Sequence, residues 1–265
     1  MIGSEQFLLE SNPTIKLLGN FVGELHFGNR VRFHYLRKEI KDLSIAPKKT
    51  LDAGCGRGQL SFWLAKKFPH SSITGIDINP ANVQHCRDLS EKQSLTDRLS
   101  FHEGDLQDLA STQKYDLIVC IDVLEHIPDF KKAALNLAQN LSKDGTLIIH
   151  TPQNGKYMDE TFGFRRFLPP HLNHAEHQAP GAGHVHDGLS KEALAFFKAT
   201  NFNYTFKDTF NSNIMLLHTL FEAYRGKRRY WHFLLTPLLT ALSLPQMKTQ
   251  NDKGGGLQVT VKAKA

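Results

Sequence analysis

Three observations on the 265-residue chain predict an α/β fold with a largely parallel sheet and helices on both faces. Between residues 48 and 150, short apolar runs suited to buried strands alternate with segments of helical apolar spacing. Several of these runs end directly at an acidic residue, as expected where parallel strands deliver polar groups to one edge. After residue 200, two segments of alternating apolar residues predict two further strands of the same sheet.

The composition is that of one large domain, with 40% hydrophobic residues, a formal net charge of +6 and a pI near 9.1. This balance is compatible with an anionic partner, but no nucleic-acid reading module is visible and nucleic-acid binding is not expected. The cysteines Cys55, Cys86 and Cys120 have no metal-ligand spacing and fit a reducing compartment. Residues 1–20 contain two glutamates and no uninterrupted apolar run. We therefore expect a cytoplasmic protein, and leave open its attachment to the inner face of a membrane.

Residues 50–65 organise the rest of the chain, because they predict a strand, a glycine turn and a helix. A dinucleotide-binding site needs Gly-x-Gly-x-x-Gly, but here the third glycine is Gly58 and Gln59 occupies the required position. Asp52 precedes the glycines, where it would repel a pyrophosphate but could accept hydrogen bonds from an ammonium group. The pattern therefore favours a nucleoside that carries an amino acid, held by Asp52, Gly54, Gly56 and Gly58.

The Asp-x-Gly-x-Gly-x-Gly arrangement, together with acids downstream, resembles the class I S-adenosylmethionine-dependent methyltransferases. The resemblance implies a Rossmann-like, seven-stranded, mostly parallel sheet with an antiparallel last strand and a site over the carboxyl ends of the strands. It also implies S-adenosylmethionine as the cofactor. An NAD-dependent oxidoreductase, a non-catalytic S-adenosylmethionine-binding module and a scaffold or lipid-surface protein are the alternatives.

Two acids follow the next two predicted strands. Asp77 is placed to accept hydrogen bonds from the two ribose hydroxyls, and a helix-capping role is its alternative. Asp105 resembles the family's adenine-binding position, with the amide of Leu106 reaching a ring nitrogen and Ile78 supplying an apolar face. A turn-stabilising aspartate is the alternative there. Ile121, at the end of the fourth strand, completes the predicted cofactor set.

The sequence Asp-Val-Leu-Glu-His after the fourth strand resembles the Glu-x-x-Glu-His turn of the ubiquinone-pathway O-methyltransferases. Asp122 replaces the first glutamate of that pattern. Asp122, Glu125 and His126 could hold a hard divalent cation such as Mg²⁺, although the shorter first side chain argues against it. The alternative is that Glu125 and His126 cap and brace the following helix.

We divide the chain into an N-terminal helical segment at 1–47 and a methyltransferase domain at 48–265. The domain contains an active-site cover at 153–188, rich in proline, glycine and histidine, and an inserted cap at 211–256. The histidine spacings of the cover match no closed zinc site. His126, His174 and His184 are candidate catalytic bases, because an imidazole titrates near neutrality.

The inserted cap joins a basic, aromatic cluster at 225–231 to an apolar run at 233–244. The run is too short to span a bilayer and is interrupted by Pro237. Residues 225–244 could lie on an anionic membrane or line a pocket for a lipid-like substrate, or they could pack on the core as an ordinary helical cap. Overall, the sequence predicts methyl transfer to a small, hydrophobic or lipid-like acceptor, with O-methylation favoured.

Overall fold

A seven-stranded mixed sheet forms the centre of the protein in the computed structural model. The structure describes residues 4–8, 10, 12–110, 113–152, 185–186, 190–200, 202–210, 214, 217, 221, 231–248 and 256–263. The strand order is β3-β2-β1-β4-β5-β7-β6, parallel from β3 to β5, with β7 antiparallel to both neighbours. The predicted fold class is therefore confirmed. The strands are β1 (Lys49–Ala53), β2 (Ser72–Asp77), β3 (Leu99–Glu103), β4 (Tyr115–Ile121), β5 (Leu141–Pro152), β6 (Asn203–Thr209) and β7 (Gly256–Lys262).

Side chains at the first turns explain where several helices begin. The carboxamide of Asn12 accepts from two amides of the first helix, and Asn79 does the same for one amide, with Pro80 starting that helix. Asp129 caps the helix that leaves β4. The α-helices of the described chain are α1 (Pro13–Val22), α2 (Phe27–Asp42), α3 (Gln59–Lys67), α4 (Pro80–Lys92), α5 (Phe130–Gln139), α6 (Ser190–Ala199) and α7 (Trp231–Ser243).

Strand β5 begins earlier than the sequence indicates. The apolar pattern predicts a helix to residue 142, a turn at 143–145 and a strand at 146–150. In the structure Leu141 already pairs with Tyr115, and an irregularity separates that pair from the regular ladder. Asp144 takes a left-handed conformation, with φ of +66°, within the irregular stretch. A bulge of this kind keeps Leu141 paired, although the polar residues after it resemble a turn.

The sheet is covered by two apolar layers. One layer packs α5 and α6 against one face, and the other packs α3, α4 and part of α2 against the opposite face. Helix α2 also contributes Phe27, Val31 and Tyr35 to a third cluster with Phe221 and Leu239. The N-terminal segment thus shares cores with both the central sheet and the inserted cap. The domain limits drawn from the sequence stay a prediction.

Parts of two predicted segments lie outside the described residues. Of the cover at 153–188, the structure describes residues 185–186 only, so His174 and His184 lie outside it. The cationic residues at 225–230 also lie outside it, whereas α7 of the inserted cap is described. Among the described helices, no helix has the length and apolar character needed to cross a bilayer.

Candidate functional site

The glycine loop after β1 takes a conformation that depends on its glycines. Gly54, Gly56 and Gly58 all have positive φ, at +75°, +51° and +80°. A methyl group at Gly54 would lie 2.3 Å from the side chain of Val123, and one at Gly58 would lie 2.8 Å from Cys86 Sγ. A methyl group at Gly56 would meet no atom within 4 Å. Gly54 and Gly58 are therefore packed, while Gly56 faces open space that a ligand could occupy.

Two cavities meet at this loop, one of about 670 Å³ and one of about 250 Å³. Both are lined by Gly54, Gly56 and Asp122. The larger cavity lies over β2, β3 and β4, and its volume is within the range of small-molecule sites. The other predicted residues divide between them: Asp77, Ile78, Asp105, Leu106 and His126 line the larger cavity, and Asp52 and Ile121 the smaller. Gly58 and the predicted metal ligand Glu125 line neither cavity.

Asp52 is buried at the floor of the smaller cavity, with 3% of its surface exposed. Its Oδ2 accepts a hydrogen bond of 2.5 Å from the Ser61 hydroxyl on α3. Burial raises the pKa of Asp52 to about 7, against the opposing effect of the Ser61 hydrogen bond and with a further contribution from the charge of Asp77. A cationic ligand group in this cavity would stabilise the ionised carboxylate and reverse that shift.

Asp77 holds the glycine loop as well as facing the larger cavity. Its Oδ2 accepts from the amide of Gly56 at 2.7 Å, and its Oδ1 accepts from the amide of Asn79 at 2.9 Å. The side chain of Asn82 donates to the same Oδ1 at 3.3 Å. A carboxylate has about four acceptor positions, so these bonds leave capacity for ligand hydroxyls. The helix-capping role considered from the sequence belongs to Asn79, not to Asp77, and the bonds of Asp77 do not compete with a ribose contact.

Asp105 likewise both stabilises a turn and lines the larger cavity. Its Oδ1 accepts from the amide of Gln107 at 2.8 Å, which caps the 3₁₀ helix Leu106–Asp108, and its Oδ2 accepts from the Gln107 side chain at 3.0 Å. Asn136 on α5 donates to the carbonyl of Leu106 at 3.1 Å and so fixes the same turn from behind. Ile78 is 69% exposed, a high value for an isoleucine, and forms an apolar wall of the cavity.

A charged network that the sequence analysis did not identify surrounds Asp122. The carboxylate forms an ion pair with Arg32 of α2, and its Oδ1 lies 2.5 Å from Nδ1 of buried His150 on β5. Nε2 of His150 lies 2.9 Å from the hydroxyl of Thr209 on β6. Burial raises the pKa of Asp122, but Arg32 and His150 outweigh it and lower that pKa to about 2. The guanidinium of Arg32 also lies over the ring of Phe210, 5.4 Å from its centroid.

The turn after β4 is held by the end of the cover. The carbonyl of Glu125 accepts from the amides of Val185 and His186 at 3.0 and 3.2 Å. Nε2 of His186 lies 3.0 and 3.1 Å from the carbonyls of Ile127 and Pro128, so an N–H at this nitrogen donates to both. These contacts attach the cover to the turn and show how His186 braces it.

The predicted metal ligands are not arranged as a metal site. Both carboxylate oxygens of Asp122 are engaged, one by Arg32 and the other by His150. Glu125 is buried, and burial followed by the charge of Asp122 raises its pKa to about 8, which favours its protonated form. In the part of the chain that the structure describes, no group of three histidine, cysteine or acidic side chains could hold a metal ion. The Mg²⁺ hypothesis for Asp122, Glu125 and His126 thus gains no support.

Among the predicted bases, His126 is the one that the structure describes, and its side chain is 39% exposed at the wall of the larger cavity. Its Nε2 lies 4.0 Å from Oε1 of Glu125. His174 and His184 belong to the cover outside the described residues.

A comparison with protein families matches residues 46–207, more than half of the chain, to the methyltransferase domain family. The chain belongs to this family. The match begins just before β1 and ends within β6, so it includes the glycine loop and all three strand-end acids. The resemblance to class I S-adenosylmethionine-dependent methyltransferases, drawn from the glycine loop and the acids, is confirmed.

Curated relatives include the ubiquinone biosynthesis O-methyltransferases of Rickettsia prowazekii and Coxiella burnetii. The Rickettsia protein is 29% identical over 136 residues, which is 51% of this chain and 52% of the relative. The Coxiella protein is 33% identical over 129 residues, 48% of this chain and 52% of the relative. The chain therefore matches only about half the length of these relatives.

Solved structures share the fold at low sequence identity. The YcgJ protein of Bacillus subtilis has a TM-score of 0.56 at 18% identity, covering 88% of this chain and 99% of its own. Coclaurine N-methyltransferase, bound to N-methylheliamine and SAH, has a TM-score of 0.52 at 18% identity, covering 87% and 71%. The 4+2 cyclase SpnF has a TM-score of 0.55 at 15% identity, covering 82% and 75%. These similarities support the fold alone.

Proposed function

We propose that this protein transfers a methyl group from S-adenosylmethionine to a small, hydrophobic acceptor, with a hydroxyl oxygen as the favoured target. The observation that carries the proposal is the arrangement of three acids, from the ends of three neighbouring strands, around two cavities that meet at Gly56. A dinucleotide would bring a pyrophosphate to the loop, beside the buried carboxylate of Asp52, where like charges repel.

We propose that each cavity binds a different part of S-adenosylmethionine. Asp52 in the smaller cavity would bind the ammonium group of the methionine part, with the loop amides nearby. Asp77 would accept from the ribose hydroxyls in the larger cavity, and Asp105 from the exocyclic amine of adenine. Ile78 and Leu106 would contact the faces of the base, and Ile121 would lie beside the reactive end.

The cofactor supplies a sulfonium methyl group that a nucleophile can displace in line. The acceptor oxygen forms the new bond to the methyl carbon while the electron pair of the carbon–sulfur bond moves to sulfur, giving S-adenosylhomocysteine. Alignment by the two cavities could supply up to about 7–11 kcal/mol of the acceleration. A hydroxyl acceptor must also lose its proton, and His126, which lines the larger cavity, is our candidate to take it. His174 and His184 stay candidates for the same role.

The lipid-like nature of the acceptor is supported by the names of the curated relatives, which act in ubiquinone biosynthesis as O-methyltransferases. It is also supported by the apolar walls of the larger cavity, where Val123 and Ile127 contribute. A lipid-like acceptor is delivered most readily from a membrane, so we propose that the protein works at the inner face of a membrane. A non-catalytic S-adenosylmethionine-binding module would keep the cofactor contacts and lack turnover.

Titration calorimetry with S-adenosylmethionine, S-adenosylhomocysteine and NADH tests the cofactor assignment. We expect both adenosyl ligands to bind at low to tens of micromolar Kd, about −6 to −8 kcal/mol, and NADH to give no heat. Asp77→Ala should weaken binding by about 1.5–3 kcal/mol, because a charge-assisted contact is lost. The affinity of Asp77→Asn, which keeps an acceptor for the Gly56 amide, should lie between that of the parent protein and that of Asp77→Ala.

The matched control is Asp97→Ala, an exposed acid in the turn before β3 that lines neither cavity. It should leave the affinity unchanged. NADH binding without either adenosyl ligand would overturn the assignment, and an unchanged affinity in Asp77→Ala would remove Asp77 from the ligand set.

A further inference from the structure

Two helices in contact present large apolar side chains to solvent. Helices α1 and α7 meet through a buried seam in which Ile15 and Phe233 belong to one apolar cluster. Beside this seam, Phe21 is 82% exposed, Leu17 is 71% exposed and Leu234 is 70% exposed. Leu238 and Leu242 continue the exposed row along α7, one turn apart each time. We call these five residues the α1–α7 apolar surface: Leu17, Phe21, Leu234, Leu238 and Leu242.

The polar groups of α7 do not interrupt this surface. The hydroxyl of Thr236 donates to the carbonyl of Leu25 at 2.7 Å, in the loop between α1 and α2. The hydroxyls of Thr240 and Ser243 donate to carbonyls within α7, also at 2.7 Å. Hydroxyls bonded in this way need no water, which suits a helix in an apolar medium. Thr236 and Ser243 are fully buried, so these two hydroxyls lie off the exposed face of α7.

The two helices carry positive charge and no acid. Neither α1 nor α7 contains an aspartate or glutamate, and α1 carries Lys16. In the sequence, Arg225, Lys227, Arg228 and Arg229 come within seven residues of the start of α7. An apolar row on two helices that carry no acid, preceded in the sequence by four cations, is complementary to an anionic lipid interface, where lysine and arginine meet lipid headgroups.

We propose that the α1–α7 apolar surface docks on the anionic surface of a lipid bilayer, with both helices lying in the interface. At 13 residues α7 is about 20 Å long, which suits a helix that lies on a bilayer rather than one that crosses it. Docking goes beyond methyl transfer, since a protein without turnover would still bind lipid.

Co-sedimentation with phosphatidylcholine vesicles, with and without phosphatidylglycerol, tests the docking. We expect the full chain to sediment with the phosphatidylglycerol vesicles and to be partly released by salt. Leu234→Gln with Leu238→Gln should lower the partition coefficient about tenfold or more, because two leucines no longer enter the interface. Replacing Arg225, Lys227, Arg228 and Arg229 by serine should remove the preference for phosphatidylglycerol.

The matched control is Phe206→Gln on β6, an apolar side chain that is 49% exposed and lies away from α1 and α7. It should leave vesicle binding unchanged. Thermal unfolding of each variant shows whether the fold is kept, and S-adenosylhomocysteine affinity is measured in parallel. Binding to vesicles without binding of this ligand would overturn the methyltransferase proposal alone. Docking is overturned if the parent protein stays in the supernatant, if the leucine variant sediments like the parent, or if that variant instead dissociates a dimer.

Discussion

Asp52 links the chemistry of a single carboxyl group to the pH dependence of the whole site. Its pKa is raised to about 7 by burial, so the group is largely protonated below that pH in the free protein. An ammonium group would stabilise the carboxylate, so on the proposed assignment binding of S-adenosylmethionine below pH 7 would require Asp52 to release a proton. We predict that the affinity rises with pH up to about 7, by at most about tenfold per pH unit, and then levels off.

Calorimetry at pH 6 in two buffers of different ionisation enthalpy measures the released proton directly. Asp52→Asn should bind more weakly and lose both the proton release and the pH dependence. Methylthioadenosine, which lacks the amino acid part, should show neither in the parent protein. Proton release that persists in Asp52→Asn would assign it to another group.

At the scale of single residues, the sequence identifies acids more readily than their partners. Asp52, Asp77 and Asp105 could be found because each comes directly after an apolar run, and parallel strands bring their carboxyl ends to one edge. Arg32 and His150 could not, because their roles depend on α2 lying over the ends of β4 and β5. Asp122 resembles a metal ligand in sequence, but in the structure its carboxylate contacts Arg32 and His150 instead.

Helix α2 is the element that joins the N-terminal segment to the far edge of the sheet. Its Glu39 is 3% exposed, forms an ion pair with Lys207 of β6 and accepts from Thr260 of β7 at 2.9 Å. Gln258 of β7 donates to the other carboxylate oxygen at 3.5 Å. These partners come from chain positions more than 160 residues away, so sequence periodicity gives no sign of them.

We predict that Glu39→Ala lowers the free energy of unfolding by about 1.5–3 kcal/mol, because hydrogen bonds to a charged group are lost and buried donors are left unpaired. Urea unfolding followed by circular dichroism measures the change. Glu91→Ala, an exposed acid on α4, is the control and should stay within about 0.5 kcal/mol of the parent. A loss no larger than that of the control would show that Glu39 does not hold α2 to the sheet.

Element types were easier to predict than their limits. The order of strands and helices from β1 to β5 follows from apolar spacing, while the start of β5 depends on a bulge at Asp144 that resembles a turn in sequence. Pro237 interrupts the apolar run at 233–244, yet lies inside α7. Proline removes one backbone donor and strains the preceding turn, a cost that the packing of Phe233 and Leu239 offsets.

At the scale of the whole molecule, the residues that match the family and the rest of the chain have different expected roles. Residues 46–207 contain every proposed cofactor contact, whereas α1, α2 and α7 lie outside that match. Variation in the acceptor is thus expected to depend on the segments around the common core. Neither the pattern of strands nor the glycine loop carries information on the acceptor, which is why the sequence alone gives only its class.

We predict that methyl-labelled S-adenosylmethionine, incubated with this protein and a membrane extract, gives labelled product in the organic phase. A lipid-like acceptor partitions there because its apolar surface leaves water. Asp77→Ala should lower the label at subsaturating S-adenosylmethionine, because it weakens cofactor binding. Leu234→Gln with Leu238→Gln should slow labelling of an acceptor held in vesicles and leave unchanged the rate with the same acceptor dispersed in detergent, since docking is then unnecessary. Label confined to the aqueous phase or to precipitated protein would contradict a lipid-like acceptor. If the leucine variant labels the acceptor as fast in vesicles as in detergent, the α1–α7 apolar surface has no part in catalysis.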